Sequence, residues 1–201
     1  MLEAEDIHFY QQVFKNIDPR DLVDLFQLAE ARTLAAGEIY IREGSTTPRL
    51  AYIRNGLLRA WCKKENDDEI TLMLRWENQF VASIDTIIHR KPSRYIYQAL
   101  EETTLIEVDY DAAMAIIDQS ARLSASRSAF LLHMLSMSVD RVEAFVLLSP
   151  EERYRKMIND KPDIINRVAD KYLATFLGIT PVSLSRIRKR MASAATPPRT
   201  H

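Results

Sequence analysis

The sequence predicts an α+β fold in three successive parts: an antiparallel β-roll, a long helix and a helix-turn-helix domain. Three observations predict it. From about residue 33 to 109, apolar and polar residues alternate with period two. After Asp109 the spacing becomes helical and stays so through residue 148. Between 170 and 190, a small residue, a glycine, a Thr-Pro pair and a basic run fall at the offsets of two crossing helices.

Ahead of the β region, residues 5–17 carry Ile7, Tyr10, Val13, Phe14 and Ile17 on one helical face. Asp18-Pro19 suits an N-cap followed by a first helical position, starting a short helix that buries Leu22, Leu25, Phe26 and Ala29. In the β region, Ile39 and Ile41 alternate with Tyr40 and Arg42, and Ile70, Leu72, Leu74 and Trp76 with Thr71, Met73 and Arg75. "LAYI", "LLRAWC", "RYIYQAL" and "TTLIEVD" are further short strands. Of the chain's 4 glycines, Gly37, Gly44 and Gly56 stand at the joints between strands, as tight antiparallel turns require. With no long helix between the strands, the pattern is a sandwich or roll.

A short helix over about 111–118 precedes a long one over about 122–148. The long helix has two apolar seams. Leu123, Phe130, Met137 and Ala144 repeat every seven residues, with Met134 between them; Leu131, Leu135, Ser138, Val142 and Phe145 form the other. Two seams imply burial on two sides, one against the β-roll and one against the same helix of a second subunit. Phe130, Met134, Met137 and Val142 are taken as the dimer-helix residues. "LLSPEER" then marks a hinge, with Ser149, Pro150 and Glu152 in a capping-box arrangement. The expected domains are 1–110, 111–148 and 149–192, followed by a flexible tail at 193–201.

In the C-terminal motif, Ala174 stands where two helices must touch and Gly178 where the turn needs positive φ. Leu173, Leu177, Ile179, Leu184 and Ile187 hold the crossing angle. Thr180 caps the second helix and Pro181 opens it. That helix presents Thr180, Pro181, Val182, Ser183, Ser185, Arg186, Lys189 and Arg190 outward as the DNA-contacting set. Charge agrees with this. The formal net charge is −1, but from Pro150 onward eleven basic residues face five acids, so an acidic body carries a basic end suited to a polyanion.

Several classes are excluded. Cys62 is the only cysteine, so no internal disulfide or iron–sulfur cluster forms. No nucleophile elbow, P-loop or metal-ligand spacing occurs, and the chain is read as a non-enzyme without metal or cofactor. No long apolar run or signal-peptide pattern is present, which predicts a cytoplasmic protein with no membrane partner.

The order of parts resembles the Crp/Fnr (cyclic AMP receptor protein / fumarate-nitrate reductase regulator) family. "GEIYIREGSTTPRLAYIRNGLLRAW", residues 37–61, resembles the start of that family's cyclic-nucleotide-binding β-roll. The 122–148 helix stands where the family has its dimerisation helix, and "ITPVSLSRI" resembles its recognition helix, with the Ser-Arg pair at Ser185 and Arg186. The resemblance implies a homodimeric transcription regulator with a C-terminal winged-helix domain. It implies a double-stranded DNA operator and RNA polymerase as partners, and Arg186 as a guanine reader. Val182 stands where the family often has a Glu, so a thymine methyl is the contact left to it. The hairpin before the motif is reduced to "INDKPDIINRV".

The family's phosphate cassette is altered in "FVASIDTIIHRKPSRYIYQALE". Ala82 replaces its Gly, Ser83 its Glu, and Ser93 falls at its Arg position with Arg94 one residue later. These departures argue against cyclic AMP as the effector. Ala82, Ser83, Arg94, Tyr95, Tyr97 and, on the long helix, Ser138 are the residues of a possible altered pocket. The alternative function is a module sensing a cyclic nucleotide or other small molecule and signalling through a protein partner.

Overall fold

A computed structural model describes Leu25 and residues 27–194. The helix expected over 5–17, the start at Asp18-Pro19 and the tail beyond 194 lie outside the described residues.

Among the described residues, eight strands form two antiparallel four-stranded sheets. They are β1 (Glu30–Leu34), β2 (Ile39–Ile41), β3 (Arg49–Asn55), β4 (Leu57–Lys63), β5 (Glu69–Trp76), β6 (Gln79–Ala82), β7 (Ile96–Ala99) and β8 (Thr103–Asp109). One sheet runs β1-β8-β3-β6 and the other β2-β7-β4-β5. Every strand expected from the alternation is present; β1 and β6 are additional. β1 begins at Glu30, directly after the segment read as a helix ending at Ala29. β3 is central to its sheet: Tyr52 sits opposite Phe80 on β6 and Ile106 on β8.

Successive side chains point to opposite faces, but in this roll both faces of a strand can be covered: β4 is buried from Leu57 through Trp61, and on β5 Thr71 is buried while Leu72 is exposed. Leu34, Ile53, Leu57 and Leu105 are fully buried there. Gly56, between β3 and β4, has φ +98°, and a Cβ on it would lie 2.5 Å from the Glu102 carbonyl oxygen. The two strands can turn against the β7–β8 loop only because that atom is missing.

From Ile84 onward the described helices are α1 (Ile84–Ile87), α2 (Tyr110–Ile117), α3 (Ala121–Leu147), α4 (Pro150–Asp160), α5 (Ile164–Arg167), α6 (Asp170–Phe176) and α7 (Pro181–Ala194). Asp109 caps α2 by accepting from Ala112 N, and Ser149 and Glu152 form the expected capping box on α4. The chain divides into two compact units. The first holds the described residues up to Ala60 with Leu74–Arg141; the second holds Trp61–Met73 with the described residues from Val142 onward.

Within the first unit, Leu123 of α3 packs with Tyr52 and Ile106, and Phe80 meets the Phe130 ring edge-on at 4.9 Å. The seam of Leu123, Phe130, Met134 and Met137 is thus the partly buried one, and Phe130, Met134 and Met137 line a cleft with Arg75, Gln79 and His133, so of the four residues taken above for the dimer helix three face the β-roll and only Val142 stands on the exposed side. The other side of α3 is bare: Leu131, Leu132, Leu135, Val139 and Val142 are all exposed.

Within the second unit every regular element from Val142 to Ala194 is helical, so among the described residues no strand follows the long helix. The short helix α5, held by an Arg167–Asp163 ion pair at 2.9 Å, stands where the sequence suggested a reduced hairpin.

Candidate nucleic-acid interface and effector cassette

The helix-turn-helix is built as its residues require. Leu173, Ala174, Leu177, Leu184 and Ile187 are buried, and Ile179 is half-buried. Gly178 makes the turn at φ +72°, and a Cβ there would lie 2.9 Å from Phe145 Cε1. Thr180 Oγ1 accepts from Ser183 N at 3.2 Å, capping α7, and Pro181 is its first residue. These bonds settle which backbone donors are satisfied and therefore where α7 begins.

Two long-range contacts tie this motif to its surroundings within the unit. Arg153 donates from Nη1 to the Leu148 carbonyl at 2.7 Å and from Nε to the Leu177 carbonyl at 3.2 Å, while stacking over Phe145 at 4.7 Å. Thr71 N on β5 donates to Thr175 Oγ1 of α6 at 3.1 Å. Sequence reading missed both, because periodicity carries no information on partners so far apart.

The basic residues of α7 divide by what they touch. Arg188 donates to the Tyr154 hydroxyl at 2.9 Å and to both Asp170 oxygens at 2.7 and 2.9 Å. Arg190 reaches back to Glu151 Oε2 at 3.0 and 2.8 Å. Arg186 and Lys189 are exposed and make no side-chain bond among the described residues. Pro181, Val182 and Ser185 are exposed with them, and Ser183 is half-buried. Of the expected contact set, then, Arg190 is held by an acid of its own chain.

In the β-roll, Ala82 ends β6 opposite Leu50, and Ser83 follows it, buried, at the N-cap of α1. Tyr97 is buried on β7, and burial pushes its phenol up to about 12. Arg94 lies over the Tyr95 ring at 5.4 Å. Ser138 is exposed on α3, its hydroxyl donating back to the Met134 carbonyl at 3.0 Å.

The residue that sequence reading missed here is Asp85. Its side chain is only 5% exposed, and Arg94 Nη2 donates to Oδ1 at 2.8 Å. Arg94 Nε lies 3.1 and 3.0 Å from the two carboxylate oxygens, and Arg94 N donates to Oδ2 at 3.0 Å. The Arg94 hydrogen bonds hold this carboxyl below the usual range. Arg90 is likewise paired, with Asp111 at 2.6 Å. Among the described residues no group of three or more His, Cys, Asp or Glu is gathered to hold a metal ion. Nor is any helix among them long and apolar enough to cross a membrane.

Comparison with known proteins places this geometry. Residues 31–120 match the cyclic nucleotide-binding domain family. No curated protein matches the chain by sequence. Among solved structures, the c-di-GMP-responsive global regulator CLP of Xanthomonas campestris is similar at a TM-score of 0.67 and 17% identity, over 88% of this chain and 93% of that one. FixK2 of Bradyrhizobium japonicum gives 0.68 and 14%, over 83% and 85%. The catabolite activator protein of Thermus thermophilus gives 0.54 and 17%, over 90% and 87%. The chain therefore has the fold of the Crp/Fnr regulators, with its β-roll matching the cyclic nucleotide-binding domain.

Proposed function

We propose that this chain is a homodimeric, sequence-specific DNA-binding transcription regulator, and not an enzyme. The observation that supports it best is the outer face of α7. There Arg186 and Lys189 stand one helical turn apart, exposed and uncommitted, on a helix whose opposite face is buried by Leu184 and Ile187. A helix so held enters the major groove with its first turns, where an arginine pairs with guanine O6 and N7 and a lysine meets phosphate.

The dimer follows from the bare side of α3. Leu132, Leu135, Val139 and Val142 are 67%, 59%, 45% and 63% exposed and recur at alternating spacings of three and four residues. This is the seam of a two-stranded coiled coil, and a second copy of the same helix is the partner that covers it. Two recognition helices on one dimer then read half-sites about one helical turn apart. The reading carries RNA polymerase as a further partner and the cytoplasm as the place of action.

Selection of binding sites from random duplex DNA, with the oligomeric state measured by sedimentation, tests the proposal. A pseudo-palindrome bound by a dimer is expected. A stable dimer that retains no duplex at low salt would instead favour a sensing module acting through a protein partner, the reading to which the β-roll match lends weight.

A further inference from the structure

A cyclic nucleotide carries one phosphate charge, and a pocket that binds it must supply a cation free to meet it. In the cassette segment of this chain both arginines already have carboxylate partners: Arg90 has Asp111 and Arg94 has Asp85. The second pair is unlike a surface ion pair. Asp85 is buried, and it accepts both the guanidinium and the backbone N–H of the same residue. Bidentate pairing of this kind fixes the guanidinium plane as well as its charge.

The rest of the loop is fastened to match. Lys91 N donates to the Asp85 carbonyl at 2.9 Å. Ser93, itself buried, exchanges backbone bonds with the β2–β3 turn, its N donating to the Ser45 carbonyl at 2.9 Å and its carbonyl accepting from Gly44 N at 2.8 Å. Arg94 is thus anchored through its own N–H and its neighbour, and it cannot leave Asp85 without stranding a buried carboxylate. Arg94 itself is largely exposed, but an anion that drew its guanidinium away would leave the Asp85 carboxylate, only 5% exposed, without its charge partner.

We propose that Asp85 is an internal counter-ion that occupies Arg94 and so excludes cyclic phosphates from the cassette. The inference concerns the β-roll alone and does not depend on DNA binding by the C-terminal helices.

The test is calorimetric titration of the full chain with cyclic AMP, cyclic GMP and inorganic phosphate. Wild type is expected to bind none of them at Arg94. Asp85→Asn removes the charge while keeping an acceptor for Arg94 N. It is expected to gain affinity for the cyclic nucleotides at least tenfold, and Asp85→Asn/Arg94→Ala to lose that gain. Wild-type binding that Arg94→Ala abolishes would overturn the proposal, as would a folded Asp85→Asn protein with no gain. The Arg94 Nε–Hε resonance of the wild type reads the same point without any substitution at Asp85. It is expected to be protected from exchange and unmoved by millimolar phosphate, and a shift on adding phosphate would refute the counter-ion role.

Discussion

Arg186 and Arg188 are two residues apart on one helix and are predicted to fail in opposite ways. Arg188→Ala removes a bond to the Tyr154 hydroxyl, on a side chain 3% exposed, and an ion pair with Asp170 whose partners are 31% and 53% exposed. The hydroxyl bond contributes about 1–1.5 kcal/mol, and the ion pair, discounted for its exposure, about 0.2–1 kcal/mol. The loss is about 2 kcal/mol of stability. Arg186→Ala removes no bond made by the described residues, so stability is expected to stay within about 0.5 kcal/mol. Its cost is in recognition: about 1–3 kcal/mol per half-site, so a dimer on two half-sites loses roughly thirtyfold or more in operator affinity. Non-specific affinity, set by phosphate contacts, should change little. The assay pairs urea unfolding, followed by far-UV circular dichroism, with titration of the selected operator and a scrambled duplex at one fixed salt concentration. Arg186→Ala unfolding as early as Arg188→Ala, or keeping operator affinity within twofold, would overturn this division of roles.

Three further outcomes are expected. Lys189→Ala should weaken operator and scrambled duplex alike and lower the slope of log affinity against log salt by about one per subunit; an unchanged slope would remove Lys189 from the phosphate-contacting set. Gly56→Ala should destabilise the β-roll by about 3 kcal/mol or more in denaturant titration. Left-handed φ costs an alanine about 1–2 kcal/mol, and its Cβ meets the backbone at Glu102 and Thr103 rather than a side chain that can swing away. For Asp85, pairing lowers the folded-state pKa, so its contribution is present above the ordinary carboxylate value of about 4 and is lost as pH falls through and below it. Wild type should therefore lose more stability on acidification than Asp85→Asn, and parallel curves for the two proteins would count against the pairing.

How far each feature could be read in the sequence follows from the range of the interaction that makes it. Six of the eight strands, the capping box at Ser149, the Asp109 end of the roll and the Gly178 turn are set by groups a few residues apart, and these were legible. So was the partly buried seam through Leu123, Phe130, Met134 and Met137, since a helix repeats its faces every three to four residues. What that seam packs against was not, and it is the opposite face, with Leu132 and Val139, that the structure leaves bare. The slip of Arg94 from the cassette's arginine position was visible, but not that Asp85 would take it.

Propensity, capping and turn chemistry act between near neighbours, and so most of the elements, their order and the two places where function was to be sought could be read along the chain, while β1, β6 and α1 could not. Which charges are occupied depends on contacts between residues far apart along the chain. Arg188 meets Asp170 across 18 residues and Tyr154 across 34, Arg190 meets Glu151 across 39, and Thr71 meets Thr175 across 104. Four consecutive-looking basic residues become two that hold the helix and two that face outward, and an arginine in an altered cassette becomes a closed ion pair. A cation's availability depends on which acid the fold brings to it, and that is a property of three-dimensional proximity that no local pattern encodes.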